Sequence, residues 1–406
     1  MQEPRKALPR TVGVLESGIR EGLHLGAQVY VSRDGIPVAD FALGEARPGT
    51  PLTTEFVLPW MSSVKPVCAV AIARLWEAGK LDLDDRVGDI VPEFSKNGKD
   101  RVTLRHLLTH TSGLKNIDLP WQDLDYSETI ARVCDAELNP DWQPGRKAGY
   151  NNAAAWFILG EVVRRLDGRP YDVYAREEVF EPLGMRSSWL ATPQAWLEAN
   201  RARIGTAFRV STAGPAPVDL PDSTLTRFSP GGSGRGPIRE LGLFYEMLLF
   251  RGESDGPRIL SPQSVEALTA RHRTGMLDQT FQTTLDWGLG FLLDTKAKGN
   301  VLLPYQFSRH ASRRTFGHGG YQSSIGFADP ENRLVVAWAV NGLIGEPKHT
   351  RRNNAVNEAV YEDMGLGARR RPAVTIRHDS AIIRAAIRRD YASQSAYRAL
   401  SFSTWT

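Results

Sequence analysis

Ser62-Ser63-Val64-Lys65 stands immediately ahead of a long apolar stretch, PVCAVAIARLWEAGKL, at residues 66 to 81. That stretch reads as a helix. If the helix begins at Ser62, Lys65 lies one turn further along the same face, within reach of the serine hydroxyl. The positive end of the helix then lowers the cost of an alkoxide or oxyanion held beside it. A lysine buried at such a place gives up its proton near neutral pH and serves as a base. Pro66 is tolerated in a first turn, but it biases Lys65 away from helical geometry, so local strain is expected here.

The same S-x-x-K spacing recurs at Ser112-Gly113-Leu114-Lys115. There, Gly113 follows the run LRHLLTHTS and reads as a helix terminator, so Lys115 is not expected one turn above Ser112. The nucleophile-elbow pattern G-x-S-x-G is absent, and the nearest approach, Gly231-Gly232-Ser233-Gly234-Arg235, lacks the last glycine. An α/β-hydrolase site is therefore not indicated. Two further segments carry usable chemistry. Tyr150-Asn151-Asn152 closes a Pro/Gly loop just before the helical run AAAWFILGEVV, where a phenol can point into a cleft and carry protons. His318-Gly319-Gly320-Tyr321 reads as small residues ahead of a strand, which let a substrate approach the backbone. Taken singly, Tyr150 reads as a residue capping the next helix and His318 as a structural histidine.

Working outward, residues 11 to 23 (TVGVLESGIREGL) have helical spacing, and AQVYVSRDGIPVADFALG reads as a hairpin turning at Arg33-Asp34-Gly35. From Val67 to about Leu183 the pattern is mostly helical. Strands are expected at Trp287 to Phe291, around Ile325 to Phe327, and from Leu334 to Val340, and a helix from Asn353 to Met364. This order predicts an α+β fold: an antiparallel sheet flanked by helices, assembled from both ends of the chain around an all-helical insertion. The expected division is a sheet domain of residues 1 to 65 plus 225 to 365, a mainly helical domain of 66 to 224, and an Arg-rich extension of 366 to 406 with an amphipathic helix from Asp379 to Tyr391.

Composition narrows the function. The 406 residues carry 50 Lys and Arg against 46 Asp and Glu, too even a balance for a protein that tracks a phosphate backbone. No nucleic-acid partner is expected. The apolar runs Val67 to Ala73 and Leu334 to Val340 are too short to span a bilayer, so no membrane partner is expected either. Cys68 and Cys134 stand apart, which suggests neither a disulfide framework nor a zinc site. The pair His106 and His110 has i, i+4 spacing but lacks a third ligand nearby, so no metal and no cofactor are expected. The charged start MQEPRKALPR shows no secretory pattern, and a cytoplasmic location is the expectation.

Ser62 to Lys65, Tyr150 to Asn152 and His318 to Tyr321, in this order and spacing, resemble the serine β-lactamase and penicillin-binding-protein superfamily. The resemblance is nearest to the class C-like branch that includes family VIII carboxylesterases, D-amino-acid peptidases and secondary-metabolite acyltransferases. It runs from about residue 11 to 364 and includes Leu107-Leu108-Thr109-His110-Thr111-Ser112-Gly113-Leu114, Gln143-Pro144-Gly145 and Phe316-Gly317-His318-Gly319-Gly320. It implies Ser62 as the acylated nucleophile, Lys65 as its base partner and Tyr150 as proton carrier. It also implies that Asn152 holds a substrate amide or carbonyl, and that the N–H groups of Ser62 and Tyr321 form an oxyanion hole. The family's Lys-Thr-Gly is replaced by His318-Gly319-Gly320. A mostly neutral histidine supplies little charge for a β-lactam or D-alanine carboxylate.

The expected function is therefore acyl transfer through an ester on Ser62, from a small-molecule ester or activated amide. The acceptor is water in a carboxylesterase, or an amine or alcohol in a transacylase that tailors a metabolite. A β-lactamase or D-peptidase is the alternative among enzymes, and a silent binding protein on the same fold is the alternative outside them. Trp121, Trp142, Trp156 and Trp189 are candidates for apolar walls around a second substrate, and equally for ordinary packing. The sequence fixes no oligomeric state.

Overall fold

The computed structural model describes residues 3–253, 256–296 and 302–367. The Asp379 to Tyr391 helix expected in the C-terminal extension lies outside these residues. Pro9–Arg20 forms a helix (α1) whose Val12 and Leu15 are buried, and the chain then enters strand β1 (Gly26–Arg33) and strand β2 (Ile36–Arg47). The turn between them has left-handed backbone at Asp34 and Gly35 (φ 56° and 76°), as the Arg-Asp-Gly reading requires. Short strand β3 (Thr50–Pro51) follows. The other strands of this sheet come from far down the chain: β4 (Leu292–Leu293), β5 (Phe316–Gly320), β6 (Ser324–Asp329) and β7 (Leu334–Val340). Their order is β4-β5-β6-β7-β1-β2-β3, every pairing antiparallel. The fold is α+β.

Strand β7 shows why the sheet sits at the centre. Its run LVVAWAV does not alternate apolar with polar, because both faces are covered. Val336, Trp338 and Val340 face one cluster with Val12 and Leu15 of α1 and with Val356 and Val360 of the last helix, Glu346–Asp363. Val335, Ala337 and Ala339 face a second cluster with Leu241 and Phe244 of the helix Ile238–Leu249. Residues i and i+1 point to opposite faces, so one strand serves both layers.

Lys65–Glu77 and Ala154–Asp167 are the two long helices of the intervening region, and they pack on each other in the second cluster. The region is not helical throughout, since Phe208–Ser211 and Gly214–Pro217 form a hairpin. Among the described residues no helix is long and apolar enough to cross a membrane.

Candidate active site

Ser62 lies in a 3-10 turn, Met61–Val64, and the α-helix begins only at Lys65. Lys65 is helical (φ −52°, ψ −42°) despite the proline that follows it. Backbone strain falls instead on Met61, at φ 50° just ahead of the serine. The turn is tied to the sheet through side chains. Ser63 Oγ donates to the His318 carbonyl at 3.1 Å, and Ser324 Oγ donates to the Trp60 carbonyl at 2.7 Å. The Trp60 indole donates to the Gly236 carbonyl at 3.0 Å. Ser62 is thereby held at the junction of sheet and helices, with 7% of its surface exposed.

Lys65 is wholly buried, and its Nζ lies 2.9 Å from Ser62 Oγ and 2.6 Å from the Gly231 carbonyl. It forms no ion pair with a carboxylate among the described residues. Aromatic rings surround it, with Tyr150 at 5.4 Å and Trp156 at 5.5 Å from the nitrogen. Burial without a counter-ion drives its pKa well below the ordinary 10.5 and favours the neutral amine beside the serine. Tyr150 lies beside them, its ring 5.4 Å from Lys65 Nζ, and Ser62 acts to lower its phenol pKa. Burial raises the phenol's pKa first, and the charge of Asp278 adds to this, so Tyr150 stays protonated. These three residues form one cluster.

The other expected residues are distributed around it. His318 is buried in β5, its Nδ1 2.7 Å from the Gly319 carbonyl, its ring 6.0 Å from Tyr150 and 5.5 Å from Trp287. Burial first, and then the charge of Lys65, lowers its pKa to about 3, so it is neutral at pH 7. The His-Gly-Gly segment was expected ahead of a strand and is instead the strand itself. On the side where a Cβ would stand, both glycines are packed closely against protein. A Cβ on Gly319 would stand 2.1 Å from the Tyr305 ring, and one on Gly320 would stand 2.2 Å from the Trp60 carbonyl oxygen. Tyr321 is half-buried in the turn after β5. Asn152 is bonded through its N–H to Asn116 Oδ1 at 2.9 Å, and its own Oδ1 is buried without a partner among the described residues.

Several neighbours were not expected. Asn151, not Tyr150, caps the helix Ala154–Asp167, its Oδ1 accepting from the Ala155 N–H at 2.9 Å. His110 packs its ring 4.6 Å from both Tyr150 and Trp287, and its Nδ1 accepts from the Asn151 N–H at 3.1 Å. His106 Nδ1 accepts from the Thr103 N–H at 3.2 Å, so the two histidines serve the local backbone separately. Among the described residues no cluster suits a metal ion. Ser112 lies outside any helix ahead of left-handed Gly113 (φ 82°), and Lys115 pairs with Glu137 at 2.9 Å. Of the tryptophans, Trp156 is core and Trp142 packs on Gly113 and Gly149. Trp189 lies under Arg176, 4.1 Å from ring centre to guanidinium, while Trp121 lines a cavity of about 430 Å³ with Tyr126, Phe157 and Phe228.

A family model described as Beta-lactamase matches residues 15–361. The chain belongs to that family. It is similar to the esterase/beta-lactamase LipL of Mycobacterium tuberculosis, 28% identical over 357 residues that cover 79% of this chain and 77% of that one. It is similar as well to penicillin-binding protein 4 of Amycolatopsis lactamdurans, 31% identical over 278 residues covering 66% and 71% of the two chains. A crystal structure of a penicillin-binding-protein homologue from Caulobacter crescentus superposes with a TM-score of 0.72 at 27% identity, over 88% of this chain and 97% of the other. This Beta-lactamase family member is accordingly a serine enzyme of the superfamily, on the superfamily's antiparallel sheet with flanking helices.

Proposed function

We propose that the enzyme transfers the acyl group of a neutral small-molecule carboxylic ester to Ser62, and passes it on to water or to a bound amine or alcohol. The observation that carries this reading is the buried Lys65 amine 2.9 Å from Ser62 Oγ, whose pKa burial holds well below 10.5. As Oγ attacks the ester carbonyl, the amine accepts the hydroxyl proton. The Ser62 and Tyr321 N–H groups receive the oxyanion, the first of them in a 3-10 turn whose leading N–H groups have no partner within the turn. The protonated Tyr150 phenol, whose ring lies 5.4 Å from Lys65 Nζ, delivers a proton to the departing alkoxide. Asn152 Oδ1, a buried acceptor without a partner among the described residues, is available to a donor group on substrate or acceptor. Neutral His318 offers no charge to a substrate carboxylate, which favours uncharged esters over penicillins or D-alanyl peptides. The similarity to a protein named an esterase/beta-lactamase supports ester chemistry.

The test is intact-mass analysis after brief exposure to a panel of neutral aryl and alkyl esters, followed by peptide mapping of a fluorophosphonate label. One acyl adduct, absent from Ser62→Ala and mapped to Ser62, is expected. A label on Ser112 or Ser63 overturns the assignment.

A further inference from the structure

The geometry points to Asp278 as a positioning residue that holds Tyr150 against Ser62. The inference rests on the reading of Tyr150 as the proton carrier. Asp278 is completely buried, in a small hairpin of Leu277–Asp278 and Thr283–Thr284 that neither the expected elements nor the family motifs marked. Its Oδ1 accepts three backbone N–H groups, from Tyr150 at 3.1 Å, Thr280 at 2.9 Å and Phe281 at 3.1 Å. Its Oδ2 accepts from Arg273 Nη2 at 2.8 Å, and Arg273 Nη1 donates to the Thr109 carbonyl at 3.2 Å.

The hairpin grips Tyr150 from other directions too. Thr280 Oγ1 donates to the Tyr150 carbonyl at 3.0 Å, the Gln279 N–H donates to the Ala148 carbonyl at 2.9 Å, and the Phe281 ring lies 5.1 Å from the phenol ring. Tyr150 has no regular element of its own, because it ends a Pro/Gly loop and the next helix starts only at Ala154. A loop residue that must place one oxygen accurately needs such external support. A carboxylate suits the position, since an asparagine would turn an NH₂ group towards either the N–H groups or the guanidinium. The anion also faces the phenol electrostatically and favours its protonated form, the one able to donate.

The experiment is a double-mutant cycle with neutral ester turnover and fluorophosphonate labelling as readouts. Asp278→Asn should lower kcat by about tenfold or more with KM nearly unchanged, because the substrate pocket is intact while the proton carrier is misplaced. In a Tyr150→Phe background the same change should cost less than about twofold, since there is no hydroxyl left to place. Equal losses in the two backgrounds, or full activity in a folded Asp278→Asn protein, overturn the proposal. Should that variant leave Arg273 too poorly paired to fold, Thr280→Val removes only the bond to the Tyr150 carbonyl. A kcat loss that again vanishes in Tyr150→Phe supports the positioning role, and unaltered kcat overturns it. If Tyr150→Phe alone is fully active, the proton-carrier reading itself fails, which is a distinct result.

Discussion

Lys65 Nζ lies closer to the Gly231 carbonyl, at 2.6 Å, than to the serine it serves, at 2.9 Å. The carbonyl orients the amine through one N–H while giving it no counter-charge, so burial decides the protonation state. Activity should therefore be lost only as pH falls through a lysine pKa lying well below 10.5, the amine acting as base above it. The unfolded chain binds a proton at neutral pH that the folded site resists, so the site costs stability below pH 10.5. Lys65→Met should abolish turnover yet raise stability at pH 7 by about 1 kcal/mol or more. Thermal melts should show that gain shrinking as pH rises towards 10.5. An unchanged or lower melting temperature at pH 7 would mean that the amine is charged in the fold.

On the proposed reading, the neutral state of His318 separates esters from carboxylate-bearing substrates. With its pKa held to about 3, the ring carries no charge at neutral pH. Penicillins and nitrocefin should accordingly be turned over at least about a hundredfold less efficiently in kcat/KM than neutral esters. His318→Lys should tighten competitive inhibition by carboxylates about tenfold, the worth of one charge-assisted hydrogen bond, with a smaller effect on neutral esters. Rapid penicillin hydrolysis by the unaltered protein would count decisively against this account.

Gly320 offers a check on where the close approach at β5 comes from. An added Cβ would meet the Trp60 carbonyl oxygen at 2.2 Å and Ser324 Oγ at 2.3 Å. That carbonyl cannot swing away freely, since it accepts from Ser324 Oγ at 2.7 Å and from the Ser63 N–H at 3.0 Å. Gly320→Ala should cost about 2 kcal/mol or more in stability and lower kcat about tenfold by shifting the turn that carries Ser62. Normal stability with only a raised KM would return Gly320 to a purely substrate-facing role.

The parts of the site legible in the sequence are those whose signal is local. The Ser62 to Lys65 spacing survives although the first turn is 3-10, because in either helix residues three apart share a face. The hairpin at Asp34-Gly35 and strand Leu334 to Val340 were readable for the same reason, one from turn chemistry and the other from an unbroken apolar run. Asp278, Gly231 and His110 were not legible. Each meets Tyr150 or Lys65 across at least 40 positions of chain, and a buried carboxylate at the head of a hairpin looks locally like any turn aspartate. The His318-Gly319-Gly320 strand was misplaced because its glycines lack β propensity. They are present to admit Tyr305 and the Trp60 carbonyl, neighbours that only the folded chain supplies.

The fate of the acyl group is the remaining choice, and proximity decides it. On the proposed reading, Tyr150 is a phenolate once it has protonated the leaving alkoxide and takes a proton from an incoming water, alcohol or amine alike, while protonated Lys65 returns its proton to Ser62 Oγ, so the base does not discriminate among acceptors. A bound acceptor wins only by residence and orientation near the ester carbonyl, whereas water wins by concentration. On the proposed reading transfer is the expected outcome, because Asn152 Oδ1, buried without a partner among the described residues, offers an acceptor atom to an amine N–H. With a fixed neutral ester donor and rising amine, amide should increase and free acid decrease in hyperbolic fashion, while donor consumption at saturation stays set by acylation. Asn152→Ala should shift that partition towards acid with acylation of Ser62 largely unchanged. If free acid is the sole product with chemically diverse amines at saturating levels, the enzyme is a hydrolase and the transfer reading is abandoned.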